Sequence, residues 1–196
     1  MNDKQWKIEK YLPNLSGNIL FVGVGKDPEN VKHYSEYHTL IKTPETFETM
    51  DLLDDSMMST KASKHHVCNF LDFQNKYKYD HISLHGLWGD KFIFKKEDRE
   101  VSSKKLSKII INSINKAHNM LNVGGTIEIG PNTNVINKLY DYMVNENLYK
   151  TIYRINRDEG ESGNCIFWGE KLNNNSFNFK EQNLWESIET VGLFKY

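Results

Sequence analysis

Two glycines near the N-terminus have the spacing of residues that let a ligand approach the backbone. The segment Ile19–Gly25 reads Ile-Leu-Phe-Val-Gly-Val-Gly, and Pro28 follows it. The apolar run predicts a buried strand, and Pro28 suits the first turn of a helix. Many α/β proteins hold a nucleotide-like ligand on such a strand, glycine turn and helix, because a residue without a Cβ lets the backbone come close. The pattern is also typical of an ordinary strand-to-helix turn.

Two aspartates lie near the ends of the next two apolar runs. Asp51 comes near the end of a predicted strand from Phe47 to Leu52. The run that begins at His66 ends with Asp72 and Phe73. A carboxylate suits a ribose diol, because it accepts from both hydroxyls. Asp72 could accept from an exocyclic amine, and the ring of Phe73 could pack on a base. Each aspartate is equally typical of a turn or a helix cap.

A histidine follows the most apolar predicted strand. The strand is Tyr79–Leu84, and His85 comes directly after it. Histidine titrates near neutral pH, so His85 could act as a base; a histidine bonded to backbone is the alternative. His65 and His66 do not predict a metal site, because adjacent strand residues point to opposite faces. We therefore expect no bound metal.

Composition restricts the class of protein. The chain has 196 residues and a formal charge of −1, which disfavours a nucleic-acid partner. No apolar run reaches the roughly 20 residues of a membrane span, and no signal-peptide run follows Met1. We expect a cytoplasmic protein with no membrane partner. Cys68 and Cys165 are predicted to be reduced thiols in apolar strands.

The order of predicted elements indicates an α/β fold. Strands are predicted at 18–24, 47–52, 66–70 (closed by 71–73), 79–84, 126–129, 148–155 and 164–168, and helices from about 28, at 102–121 and around 135–143. This alternation predicts a doubly wound, mostly parallel seven-stranded sheet with helices on both faces and an antiparallel C-terminal hairpin strand. We expect one domain over 1–196, with a core at about 18–170, a lead-in at 1–17 and an extension at 173–196.

The predicted strand ends gather the candidate residues, since ligands bind outside the carboxyl ends of the strands in such sheets. In this prediction the second strand ends near Asp51 and the third at Asp72. His85 follows the fourth strand, and the fifth ends around Glu128 and Gly130.

The sequence of motifs resembles that of class I S-adenosylmethionine-dependent methyltransferases. The segments that carry the resemblance are Ile19–Gly25, Phe47–Asp51, Asn69–Phe73, Tyr79–His85 and Met120–Ile129. The last of these segments matches a pattern of the family in which a long helix is followed by a leucine, two further residues, a Gly-Gly pair and then a strand. The resemblance covers about residues 18–170, including the antiparallel hairpin, which separates this family from nicotinamide-binding Rossmann proteins.

The resemblance implies S-adenosylmethionine as cofactor and a role for each matching residue. Gly23, Val24 and Gly25 would line its methionine part. Asp51, with Leu52 beside it, would hold the ribose hydroxyls. Asp72 and Phe73 would hold the adenine, and His85 would lie between cofactor and acceptor.

The implied reaction is methyl transfer to a small or medium-sized acceptor. Positioning alone can supply up to about 7–11 kcal/mol, so no catalytic dyad is required. Two departures support an alternative, a methyltransferase-like binding module without activity: Phe21 stands where the family usually has an acid, and Asp27 where it often has a third glycine. A nicotinamide-dependent enzyme is disfavoured, because Pro28 takes the place of the last glycine of Gly-x-Gly-x-x-Gly.

Overall fold

The computed structural model describes residues 15–23, 41–51, 63–84, 103–132, 137–155 and 165–180. These residues form seven strands and two helices. The strands are β1 (Leu15–Val22), β2 (Ile41–Asp51), β3 (Lys64–Val67), β4 (Tyr79–Leu84), β5 (Leu121–Asn132), β6 (Tyr149–Ile155) and β7 (Cys165–Lys171), and the helices are α1 (Ser103–Met120) and α2 (Asn137–Asn145). Neither of these two described helices is long and apolar enough to cross a membrane.

The strands form one sheet in the order β3-β2-β1-β4-β5-β7-β6. The pairs from β3 through to β5 are parallel, whereas β7 is antiparallel to both β5 and β6. This confirms the predicted mostly parallel sheet with an antiparallel C-terminal hairpin strand. The chain winds outward from β1 on one side and from β4 on the other, so the strand order reverses between these two strands. In such sheets ligands bind at the carboxyl ends of the strands where the order reverses.

The boundaries of β1 and β2 differ from the prediction. β1 begins three residues earlier and ends at Val22, and β2 begins at Ile41 rather than at Phe47. Register shifts between these strands leave Pro44 opposite Gly17. Because proline has no N–H to donate, an irregularity at this point lets β2 continue through it. The sequence pattern missed this part of β2, since a proline normally argues against a strand.

The third strand requires a larger correction. β3 ends at Val67, five residues before Asp72, so Cys68 follows the strand instead of lying in it. Asn69 begins a turn: its side-chain oxygen accepts a backbone N–H two residues later at 2.9 Å, and its carbonyl accepts the Asp72 N–H at 3.0 Å. The sequence predicted a strand here because the run is apolar. Phe70 is indeed buried, but it enters the core from this turn and not from a strand.

Both described helices pack on the same face of the sheet. The residues buried there are Ile110, Ile114 and Ala117 of α1 and Leu139, Tyr140 and Met143 of α2. This core contains Leu20, Val22, Met50, Ile82, Leu84, Ile110, Ile114, Ala117, Ile127, Ile129, Leu139, Tyr140, Met143 and Phe167. The alternation of side chains along each strand places the other half of the strand residues on the opposite face.

The opposite face is also buried, but it includes polar side chains. Ser83 Oγ donates to Glu128 Oε2 at 2.8 Å, and His81 Nδ1 lies 2.8 Å from Thr126 Oγ1. The predicted end of the fifth strand at Glu128 and Gly130 is therefore wrong. Glu128 lies inside the β4–β5 ladder, and β5 continues past Gly130.

Asp80 joins three strands at the amino edge of the sheet. One of its carboxylate oxygens accepts the Asn18 N–H of β1 at 2.9 Å, and the other accepts from Asn122 Nδ2 of β5 at 2.8 Å. Gly17 lies against this carboxylate with a φ of 80°. A residue with a Cβ at this position would have a strained backbone conformation, and its Cβ would clash with the Asp80 carboxylate.

The residues after β7 pack across the ends of α1 and α2. Phe177 is buried, and the carbonyl of Asn175 accepts from His118 Nε2 at 3.0 Å. Because a carbonyl only accepts, Nε2 carries the proton, and Nδ1 accepts from the Tyr149 hydroxyl at 3.0 Å. Lys171 Nζ donates to the His118 carbonyl at 2.6 Å, which satisfies the end of α1. Burial, together with the Lys171 charge, lowers the pKa of His118 to about 4.

Replacing Gly17 with alanine should destabilise the fold more than replacing Gly124. Both glycines have a φ near 80°, but a Cβ at Gly17 would meet Asp80, whereas nothing lies within 4 Å of one at Gly124. We expect Gly124→Ala to lower the free energy of unfolding by about 1 kcal/mol and Gly17→Ala by about 2–4 kcal/mol. Urea denaturation of the two variants measures this, and equal losses would contradict the steric explanation.

Acid should destabilise the protein through His118. Its folded pKa of about 4 lies below the ordinary value of 6.5, so the unfolded chain binds the proton more tightly. The stabilisation is complete above pH 6.5, and about 3 kcal/mol of it should be lost as the pH falls to 4. Denaturant titrations at several pH values measure the slope. The same titrations of the His118→Gln variant measure the pH dependence that comes from all other groups. If the free energy of unfolding of this variant has the same slope against pH as that of the wild type, the assignment to His118 is wrong.

Candidate functional site at the carboxyl edge

The ends of β1, β2 and β3 lie side by side at the carboxyl edge of the sheet. The Gly23 N–H donates to the Met50 carbonyl at 2.9 Å, and the Cys68 N–H donates to the Asp51 carbonyl at 3.0 Å. These bonds extend the parallel ladders by one residue beyond β1 and β3. They bring Gly23, Asp51 and the start of the turn after β3 into one row.

Gly23 has the left-handed backbone conformation that the glycine turn requires, with a φ of 77°. Residues with a Cβ rarely adopt this conformation, so the chain leaves β1 in a direction that glycine permits. Of the other predicted residues, Val24, Gly25, Leu52 and His85 lie outside the residues that the structure describes.

Asp51 is the last residue of β2 and is only 8% exposed. A carboxylate at the end of a buried parallel strand lies where its sheet meets the ligand crevice. This location agrees with the end predicted for the second strand, to within one residue.

Asp72 and Phe73 were predicted at the end of the third strand, but they lie beyond β3, which ends at Val67. Asp72 is exposed, and the Phe73 ring packs edge-on against His66 with centroids 4.7 Å apart. Cys68 and Asn69 are the residues that directly follow β3, and the sequence interpretation assigned neither to this edge. The available signal was Asn69, because asparagine commonly starts turns by accepting a backbone N–H two residues later.

Lys116 of α1 fixes the turn from the side of the core. Its ammonium donates to the Leu71 carbonyl at 2.7 Å and to the Phe73 carbonyl at 2.6 Å. It also lies 5.8 Å from the centroid of the Phe70 ring. Burial lowers the pKa of Lys116, and the nearby Asp72 carboxylate opposes this shift.

A buried carboxylate, Glu48, holds the other end of the connection between β3 and β4. It accepts from the Tyr77 hydroxyl at 2.6 Å, the Tyr79 hydroxyl at 2.7 Å and His66 Nε2 at 2.9 Å. Burial alone would raise the pKa of Glu48, but these hydrogen bonds hold it below its usual value. The sequence interpretation missed this cluster; its signal was an acid between the apolar residues of a predicted strand.

His65 and His66 point to different partners, as their adjacency in a strand predicts. His65 Nδ1 lies 2.9 Å from Thr49 Oγ1, whereas His66 bonds to Glu48. In the described part of the chain, no three histidine, cysteine, aspartate or glutamate side chains are grouped as metal ligands. The chemistry available at the described edge is hydrogen bonding to an organic ligand by a glycine turn, a carboxylate and a structured loop.

Comparisons with known proteins identify the fold. No protein-family model matches the chain, and no curated protein sequence matches it. Solved structures do match. The N-methyltransferase NodS from Bradyrhizobium japonicum WM9 aligns with a TM-score of 0.54 and 8% identity, over 87% of this chain and 96% of NodS. The fold is that of class I S-adenosylmethionine-dependent methyltransferases.

Two further structures agree with this methyltransferase fold. CalS10 from Micromonospora echinaspora, an amino pentose methyltransferase solved with S-adenosylmethionine bound, aligns with a TM-score of 0.53 and 10% identity over 86% of this chain and 89% of CalS10. A ribosomal protein L11 methylase from Lactobacillus delbrueckii subsp. bulgaricus aligns with a TM-score of 0.52 and 14% identity, over 86% of this chain and 76% of the methylase. These proteins share the fold but act on different acceptors.

The two tyrosines on Glu48 should contribute unequally to stability. The Tyr79 hydroxyl bonds in a fully buried position, whereas Tyr77 is half-buried and water can replace its hydrogen bond. We expect Tyr79→Phe to lower the free energy of unfolding by about 1.5–3 kcal/mol and Tyr77→Phe by about 1 kcal/mol or less. Urea denaturation measures both variants, and a larger loss for Tyr77→Phe would reverse this ranking of the two bonds.

Proposed function

We propose that this protein transfers a methyl group from S-adenosylmethionine to a small or medium-sized acceptor. The observation that carries the proposal is the adjacency of Gly23 and Asp51 at the carboxyl edge of a methyltransferase-type sheet. The left-handed Gly23 leaves backbone accessible to a ligand, and the carboxylate of Asp51 ends the neighbouring strand. Both features fit an adenosyl cofactor.

Each candidate residue has a distinct role in this proposal. The turn of Gly23, Val24 and Gly25 lines the methionine part of the cofactor. Asp51 accepts from both ribose hydroxyls, which a carboxylate can do without a proton of its own, and Leu52 is a further cofactor-binding residue in this proposal.

The remaining candidates act on either side of the cofactor. Asp72 accepts from the exocyclic amine of the adenine, and Phe73 contributes an apolar surface to the same side. When bound, S-adenosylmethionine supplies an electrophilic methyl group, so the main task of the protein is to orient the acceptor. His85 takes the proton if the acceptor is a hydroxyl.

The charge of the chain supports a small-molecule acceptor in this proposal. A formal charge of −1 gives no net attraction to a polyanion, which favours a small molecule over nucleic acid. CalS10, an amino pentose methyltransferase, and the ribosomal protein L11 methylase have different acceptors, which agrees with a fold that does not itself select the acceptor.

A second candidate function is a methyltransferase-like binding module without activity. Phe21 supports it: at the position where the family usually has an acid, the ring is buried and packs against Phe47 and His81, with centroids 5.2 and 5.8 Å apart. The chain therefore has no carboxylate two residues before Gly23. Asp27, which stands where a third glycine is common, supports it as well.

Titration calorimetry with S-adenosylmethionine and S-adenosylhomocysteine tests the proposal. We expect both to bind the wild-type protein, and Asp51→Ala to weaken binding at least about tenfold through the loss of two charge-assisted hydrogen bonds. Asp141→Ala is the matched control, because Asp141 is an exposed residue of α2 that pairs with Arg154.

The outcomes separate the candidate functions. Absence of binding at millimolar ligand would refute the methyltransferase proposal and support the binding module. Binding of a nicotinamide cofactor instead would support a dehydrogenase. If the Asp51→Ala and Asp141→Ala variants bind the cofactor with equal affinity, Asp51 is not part of the binding site.

A further inference from the structure

The connection between β3 and β4 contains no helix. Residues 68–78 are all described, and they form a turn followed by an irregular segment. A crossover between parallel strands usually packs a helix on the sheet. Here the connection packs through aromatic side chains: Phe70 is buried, and Phe73 and Tyr77 are half-buried against the core. A segment without its own helical hydrogen bonds needs other partners to hold its shape.

Lys116 supplies those partners at the turn. The carbonyls of Leu71 and Phe73, on either side of Asp72, converge on its ammonium at 2.7 and 2.6 Å. Hydrogen bonds to a charged donor are stronger than neutral ones, and two of them on one nitrogen fix both carbonyl directions. The orientation of the peptide groups around Asp72 therefore depends on a residue of α1 more than 40 positions later in the chain.

Glu48 fixes the opposite end of the same segment. It bonds to Tyr77, near the end of the connection, and to Tyr79, at the start of β4. Through His66 it also supports the Phe73 ring, which lies 4.7 Å from the His66 ring. The connection is therefore held at both ends, and the Lys116 bonds fix the carbonyls of Leu71 and Phe73.

We propose that Lys116 is a positioning residue for the cofactor: it holds the turn Asn69–Phe73 in its binding shape before the ligand arrives. This inference rests on the proposed function. A loop that is already ordered loses less conformational entropy on binding, so affinity is higher. Lys116 itself donates to backbone, and its effect on the ligand is carried by Asp72 and Phe73.

Replacing Lys116 with methionine removes the ammonium and keeps a side chain that can pack on Phe70. We expect Lys116→Met to weaken S-adenosylhomocysteine binding about tenfold or more in calorimetry well below the unfolding temperature. Lys108→Met is the matched control, since Lys108 is an exposed lysine of the same helix. It should bind within about twofold of the wild type.

A second ligand tests whether the lost affinity lies on the adenine side of the proposed site, and hydrogen exchange separates positioning from a general loss of structure. Methylthioadenosine contains the adenine and ribose but lacks the amino-acid part. Because the turn lies on the proposed adenine side, Lys116→Met should lower the affinity for methylthioadenosine by the same factor as the affinity for S-adenosylhomocysteine. Hydrogen exchange of the free protein should show lost protection at the Asp72 and Phe73 amides, with β4 and β5 unchanged.

The possible results are distinguishable. If wild-type protein binds neither ligand, the proposed function fails, and this inference fails with it. If wild-type protein binds and Lys116→Met binds equally well, the inference alone is overturned. A loss confined to S-adenosylhomocysteine also overturns it. If Lys116→Met does not fold, Lys116→Gln, which keeps an N–H donor, should bind with intermediate affinity, and wild-type affinity in that variant would overturn the proposal.

Discussion

Two backbone hydrogen bonds just beyond the parallel ladders hold the carboxyl edge together. Gly23 donates to the carbonyl of Met50, and Cys68 donates to that of Asp51, so β1, β2 and β3 end at the same level. Parallel strands in register necessarily present their next residues at one edge. The glycine turn, the carboxylate of Asp51 and the loop after β3 are adjacent for this reason, although many residues separate them in the chain.

The two edges of the sheet are built differently. At the amino edge, Asp80 joins β1, β4 and β5, while Lys171 and His118 connect the end of α1 to the segment after β7. These groups satisfy one another within the protein. At the carboxyl edge, Asp72 is exposed on a turn whose carbonyls are bound to Lys116. The described amino edge is therefore closed by its own hydrogen bonds, whereas the described carboxyl edge carries the residues that the proposed cofactor would contact.

The fold and the function have different support. The strand order and the antiparallel β7 are properties of the backbone, and solved methyltransferases share the overall fold at 8–14% identity. A function depends on particular side chains grafted on such a fold. Phe21 illustrates the difference, because a buried phenylalanine preserves β1 while it removes a carboxylate that the family usually has there.

The sequence by itself determined the elements whose signals are local. The helix Ser103–Met120, the strand Tyr79–Leu84 and the glycine turn that begins with Gly23 follow from periodicity and from residue type within a short window. It also identified Asp51 as the end of a strand to within one residue. It misplaced β3, because the apolar residues around Phe70 fit a strand as well as a turn that enters the core.

Only the tertiary structure decided which distant side chains meet. Glu48 bonds to Tyr77 and Tyr79, 29 and 31 residues away, and Lys116 reaches a turn 43–45 residues before it. No local pattern encodes such pairs, since they form only after strand order and helix packing bring the residues together. Asn69 begins the turn after β3 by a local hydrogen bond, but the contacts of Lys116 with Leu71 and Phe73 come from distant parts of the chain.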